Sequence, residues 1–281
     1  MTLLRSKFLR AFCQRWTTVL GCVLLIAIVG MALLAPLVFP EDPWSMVTRP
    51  MLWPGEEAGF PLGSDMLGRD LAAGIFHGAR ISLSIGIAAT LAALFLGIVA
   101  GAFAGYHGGK VDDILMRCTE SFQTVPPFLL TIVIVTLLHP SLVTIILAIS
   151  LVSWPPVARL VRVEFMTMRE RDFVLACRSI GMSDARIIFR QILPNTLSPV
   201  IVTASIMVAS AILTESSLAF LGLGDPNVMS WGTMIGAGRD QLRTAWYLTA
   251  IPGVAILLTV LAINLIGEGL NDAFNPKLRN R

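Results

Sequence analysis

Two glutamates stand inside stretches otherwise too apolar to hold a charge. Glu215 lies in "LTESSLAF" beside Ser216 and Ser217, and Glu120 lies in "MRCTESFQTVPP" with Gln123 and Thr124 close by. An ionisable group in such a setting is costly and usually faces a cavity or a partner. The chemistry open to this pair is lining a polar path or passing a proton, with Ser216 as a further path residue. A carboxylate bonded to a neighbouring helix accounts for Glu215 as well. The other reactive side chains are scattered. His77, His107 and His139 are isolated, none at i, i+4 from a second ligand, so no metal site is expected within the chain. No Ser/His, paired-aspartate or H-E-x-x-H constellation supports an enzyme. The four cysteines show no framework spacing. Around Gly108-Gly109-Lys110, Ala104 stands where a phosphate loop needs its first glycine and Val111 where Ser or Thr must hold magnesium.

The elements that must position these residues follow from composition. Of 281 residues, 55% are hydrophobic and 14% charged, with a mean hydropathy of +0.77. Soluble domains carry about 25% charged residues, so an all-α polytopic membrane protein is expected. The net charge of +3 gives no reason to expect a nucleic-acid partner. A crossing takes about 20 apolar residues. Six segments qualify: 16–39, 81–106, 114–139, 142–159, 197–223 and 246–270. The first has a longer apolar run than the roughly 7–15 residues of a secretory signal, and reads as a retained anchor.

Orientation follows from lysine and arginine. Sixteen lie in residues 1–15, 107–117, 159–190 and the tail after Phe274, which six crossings place on one side. The other side receives Arg49, Arg69, Arg80, Arg239 and Arg243. Both termini are therefore expected in the cytoplasm. Long segments 40–80 and 224–245 fall outside.

The one sizeable cytoplasmic loop is unusual. Phe173, Ala176, Cys177 and Ile180 share one helical face, with Asp172 before them as N-cap and Gly181 after them as a left-handed stop. Ser183 then caps a second short helix with the stripe Ala185, Ile188, Phe189 and Ile192, beginning at Asp184. Pro194 is expected to separate it from the next span. Arg178, Arg186 and Arg190 lie off both stripes. Such a hairpin can rest on anionic lipid or offer apolar knobs and an arginine rim to a cytoplasmic protein.

"DFVLACRSIGMSDARIIFRQILPN" resembles the EAA loop of binding-protein-dependent ABC importer permeases, with Ala176, Cys177, Gly181, Leu193 and Pro194 at the pattern's places. Leu175 stands where many members have glutamate, and Gln191 where histidine is frequent. "PLGSDMLGRD", "GARISLSIG", "GYHGGKVDDILMR", "TESSLAFLGLG", "SWGTMIGAGRD" and "PGVAILLTVLAINLIGEGLNDAFNP" are similar, in order, to the C-type subunits of the oligopeptide/dipeptide/nickel permeases. The resemblance implies a type I ABC importer permease fold with six transmembrane helices, in a bacterial inner membrane. It divides the chain into an anchor and external loop (1–80), a five-helix core (81–271) with a coupling loop at about 163–196, and a tail (272–281). Implied partners are a homologous second permease forming a heterodimer, two ABC ATPase subunits that bind ATP and magnesium, an external substrate-binding protein and the bilayer. The coupling residues would be Asp172, Ala176, Cys177, Arg178, Gly181, Ser183, Asp184, Arg186 and Pro194. The chain itself would need no cofactor and hydrolyse no ATP. The implied cargo is a peptide or a similar small solute. The competing expectation is a proton-coupled secondary carrier using Glu120 and Glu215.

Overall fold

The computed structural model describes residue 12 and residues 15–274. Arg5, Lys7, Arg10 and the basic tail lie outside these residues. Helices carry the architecture: α1 (Trp16–Val38), α2 (Leu71–His107), α3 (Gly109–Gln123), α4 (Pro127–Leu138), α5 (Leu142–Arg169), α6 (Asp172–Ser179), α7 (Asp184–Arg186), α8 (Leu193–Phe220), α9 (Trp231–Gly238) and α10 (Tyr247–Phe274). Among the described residues, five helices are long and apolar enough to cross a membrane, or six if the bent pair α3–α4 is one span.

Four expected boundaries move, each for a local reason. Helix α2 starts at Leu71, ten residues before the expected span, because the Asp70 carboxylate accepts from the Ala72 N–H and opens the helix there. A division of the chain at residue 80 therefore falls inside a continuous helix. The third span is broken: α3 and α4 meet at 82°. Pro127 forces Pro126 into an extended conformation (ψ 130°), which no helix passes through. Helix α5 runs through Pro155 and Pro156 to Arg169 rather than ending at Arg159, since its packing on α2 outweighs the two lost N–H groups. Helix α9 interrupts what reads as an external loop, started by a capping box between Ser230 and Thr233.

The α2–α5 contact is the backbone of the bundle. Residue numbers rise together along it, so the helices run parallel. Gly97, Gly101 and Gly105 form a stripe at every fourth position, facing Val157, Ala158, Val161, Arg162 and Phe165. A side chain at Gly105 would come 2.5 Å from the Arg162 carbonyl oxygen. Small residues that admit close backbone approach are how helices attract in lipid, where burial of apolar surface gives no advantage. At the opposite flank, Gly21 of α1 and Gly267 of α10 play the same part against α10 and α8. Arg15 pairs with Asp272 at 2.6 Å. That ion pair brings the start of α1 and the end of α10 to one end of the bundle, as an even number of crossings requires.

Gly101→Leu should separate α2 from α5. The expected outcome in detergent is a loss of thermal stability larger than the about 1–3 kcal/mol of ordinary overpacking, because the opposing atom is backbone. Gly30→Leu, with open space around it, should be neutral in the same assay.

Candidate functional site

The hairpin is built from α6, the turn at Gly181, and α7. Gly181 has φ +77°, a conformation open to glycine, and free space around its α-carbon. The constraint there is conformational rather than steric. Arg171 rather than Asp172 takes the N-cap position, and Asp172 is the first helical residue. Ser183 does stand at the N-cap of α7, though its hydroxyl caps nothing.

Pro194 does not separate the hairpin from the next span. Residues 184–220 form one helix of 37 residues that widens to π geometry at Ile187–Ile192. The Leu193 N–H donates to the Ile188 carbonyl, five residues back. This wider turn removes the clash an α-helix would suffer between the proline ring and the Arg190 carbonyl. The Asn195 side chain donates to the Gln191 carbonyl at 2.6 Å.

The two apolar stripes divide differently from the expectation. Val174, Ile187, Ile188 and Ile192 are buried, packing with Tyr106, Val161 and Phe165 at the ends of α2 and α5, and Cys177 and Met182 join them. Phe173, Leu175 and Ala176 point away, as do Ile180 (77% exposed) and Phe189 (58%). One face seats the hairpin on its own core; the other is left open. Arg178, Arg186 and Arg190 are exposed as well, Arg178 with its guanidinium 5.2 Å from the centre of the Tyr106 ring.

Polar contacts that the sequence reading missed hold the seat. Arg162 of α5 forms a two-point ion pair with buried Asp112 in the first turn of α3, one arm at 2.5 Å. Arg169 caps the end of α2 by donating to the Gly105 and Tyr106 carbonyls at 3.2 and 3.4 Å. Tyr106 donates its hydroxyl to Asp184 at 2.5 Å.

The path residues fall into three environments. Glu215 is only 1% exposed and turns into α9. The Ser230 hydroxyl donates to its Oε1 at 2.6 Å, and Ser216 approaches Oε2 at 3.4 Å. Gly232 leaves room for it, since a β-carbon there would stand 2.7 Å from Oε2. The geometry is that of a carboxylate locking one helix to another, and it corrects the reading of Glu215 as a wall residue. Its neighbour Ser216 borders a groove of about 460 Å³ with Phe128, Leu213, Ser217, Phe220 and Ile256. Glu120 is exposed on α3. A buried carboxylate and an exposed one on separate helices do not form the relay a proton-coupled carrier needs.

Beyond the far ends of the helices, Ser64 ties the outer segment together, accepting from the Leu52 N–H at 3.0 Å and donating to the Arg49 carbonyl at 2.6 Å. The Trp53 N–H and the Arg49 guanidinium hold the Glu56 carboxyl below the usual range, and burial pushes Asp70 up. Helix α9 is pinned to α2 by the Trp231 indole, which donates to the Ile75 carbonyl at 2.9 Å, and by Ser82, which accepts from the Trp231 N–H at 3.1 Å.

Residues 97–280 match the family described as binding-protein-dependent transport system inner membrane component. The di/tripeptide transport system permease protein DppC of Pseudomonas aeruginosa is 41% identical over 98% of this chain and 93% of its own length. The glutathione transport system permease protein GsiD of Pectobacterium atrosepticum is 34% identical over 98% and 91%. The oligopeptide transport system permease protein OppC of Bacillus subtilis is 34% identical over 99% and 91%. Among solved structures, a chain of the inward-facing MetNI methionine ABC transporter shares the fold, with a TM-score of 0.57 and 16% identity. That match covers 69% of this chain and 93% of the other.

Glu215→Ala should leave the Ser230 hydroxyl without its acceptor, at a cost of about 1–3 kcal/mol. Hydrogen exchange across 231–238 should accelerate by about 5- to 150-fold. Glu215→Gln, which keeps an acceptor oxygen, should restore most of the protection.

Proposed function

The chain belongs to the family of binding-protein-dependent transport system inner membrane components, and from that premise we propose which of its parts do the work of import. It is a multi-pass permease subunit of an ABC importer in a bacterial inner membrane. ATPases and an external binding protein are the partners this class of machine works with. In our reading a homologous second permease completes a heterodimer, and each permease supplies half of the path. The groove bordered by Ser216 and Ser217 contributes to this chain's half. The hairpin end faces the cytoplasm, in agreement with the distribution of lysine and arginine.

One ABC ATPase subunit docks on the hairpin of each permease. A single observation carries this: Phe173, Ile180 and Phe189 stand exposed, with Arg178, Arg186 and Arg190 exposed as well, on a hairpin whose opposite face is already buried. Knobs of this kind fit a groove on a folded partner. Asp172, Ala176, Cys177, Ser183 and Asp184 shape the hairpin, Gly181 lets it turn, and Pro194 joins it to α8 without ending the helix. ATP and magnesium belong to the docked subunits; Ala104 and Val111 at the Gly108-Gly109-Lys110 turn support a chain with no nucleotide site of its own. Transport then follows if the ATPases bind the inward-open and outward-open arrangements with unequal free energies, since equal binding shifts nothing.

Peptides are the solute this reading favours. Relatives named for di/tripeptides and oligopeptides align along almost the full chain, and glutathione, the cargo in a third relative's name, is itself a peptide.

Phe189→Asp should lower the ATPase co-purifying with the membrane complex at least tenfold while changing its thermal stability little, because more than half of the side chain is exposed. Gly181→Trp should have the same effect on co-purification. Undiminished ATPase in both variants would remove the hairpin from the interface.

A further inference from the structure

The hairpin is attached to the bundle covalently through α5 and α8. It is also seated against α2, where Tyr106 adds polar contacts to the apolar packing. Tyr106 is the penultimate residue of α2 and almost fully buried. Its hydroxyl donates to Asp184, the first residue of α7, at 2.5 Å. The guanidinium carbon of Arg178, near the end of α6, stands 5.2 Å from the centre of its ring, within range of a cation–π attraction. Asp184 and Arg178 flank the Gly181 turn, so one phenol grips both arms of the hairpin. Arg169 braces the carbonyls of Gly105 and Tyr106, which fixes the end of α2 from its other side.

We propose that Tyr106 is a positioning residue that makes α2 follow the hairpin, so that motion imposed on the docking element reaches α2 as directly as it reaches α8. The inference rests on the docking reading above and adds a second route out of the hairpin. Without the phenol's grip, α6 and α7 remain seated by Val174, Ile187 and Ile192, and the ATPase still docks. What is lost is the fixed relation between hairpin and α2.

Spin labels carried on unnatural amino acids at two exposed positions, Ser179 on the hairpin and Leu91 on α2, test this in the full complex with the native cysteines kept. With Tyr106 intact, the inter-label distance should change by less than about 2 Å, the scale of ordinary helix shifts, between the nucleotide-free and ATP-bound states. In Tyr106→Phe the ATPase should co-purify undiminished, yet the distance should become nucleotide-dependent and its distribution broader. Asp184→Ala, altered from the exposed side without touching the buried ring, should make the distance nucleotide-dependent as Tyr106→Phe does. Asp184→Asn, which keeps an acceptor oxygen, should restore the wild-type behaviour. An unchanged distance in both Tyr106→Phe and Asp184→Ala, with the ATPase bound, overturns the proposal while leaving the docking site standing. Absence of ATPase from the unaltered complex overturns the docking reading and this inference with it.

Discussion

The close parallel approach of α2 and α5 is the contact on which the remaining structure depends. Three glycines at four-residue spacing let the two backbones meet along the C-terminal part of α2. Everything at the hairpin end is referenced to that contact. It brings Arg169 over the last carbonyls of α2, sets Arg162 opposite Asp112, and creates the floor of Tyr106, Val161 and Phe165 on which the hairpin sits. In lipid such packing cannot rely on expelling water, so shape decides. A single methyl group in the wrong place is felt by the whole floor.

At the far end a different logic operates. Helix α9 has only eight residues, too few to be stable alone. It persists because its first turn is bonded in three directions: to Glu215 of α8 through Ser230, to α2 through Trp231, and to itself through Thr233. The buried carboxylate therefore specifies where α9 sits. Removing one partner of such a pair is costly even where the intact pair adds little net stability. The side chain that looked most like a pathway residue is a fastener, and the serine beside it borders the groove.

Much of this was legible in the sequence, and the misses share a physical origin. Hydropathy located the five long apolar helices and the bent α3–α4 pair, since each backbone polar group in lipid must be satisfied within its own helix and long apolar runs follow. The hairpin was legible through its i, i+3, i+4, i+7 spacing and through Gly181. What hydropathy could not reveal were helix ends outside the apolar zone. Leu71–Arg80 is helical because of Asp70 and the cover of α9, and Leu160–Arg169 because of the glycines of α2. Nor could periodicity tell which face of an amphipathic hairpin is already occupied: Val174 lies off the expected stripe and is buried, whereas Ile180 lies on it and is bare. The Gly97, Gly101, Gly105 repeat was readable, and would have identified the α2–α5 contact. Tyr106 gave no signal of its own, since its partner is 78 residues away.

The uninterrupted run from Asp184 to Phe220 has a mechanical corollary. A rod of 37 residues is about 55 Å long. A swing of about 5° at one tip sweeps the opposite tip through about 5 Å if the rod stays stiff. Under the docking proposed above, a small turn imposed at the near tip is carried to the far end of the same helix, so the two ends of α8 move as one piece.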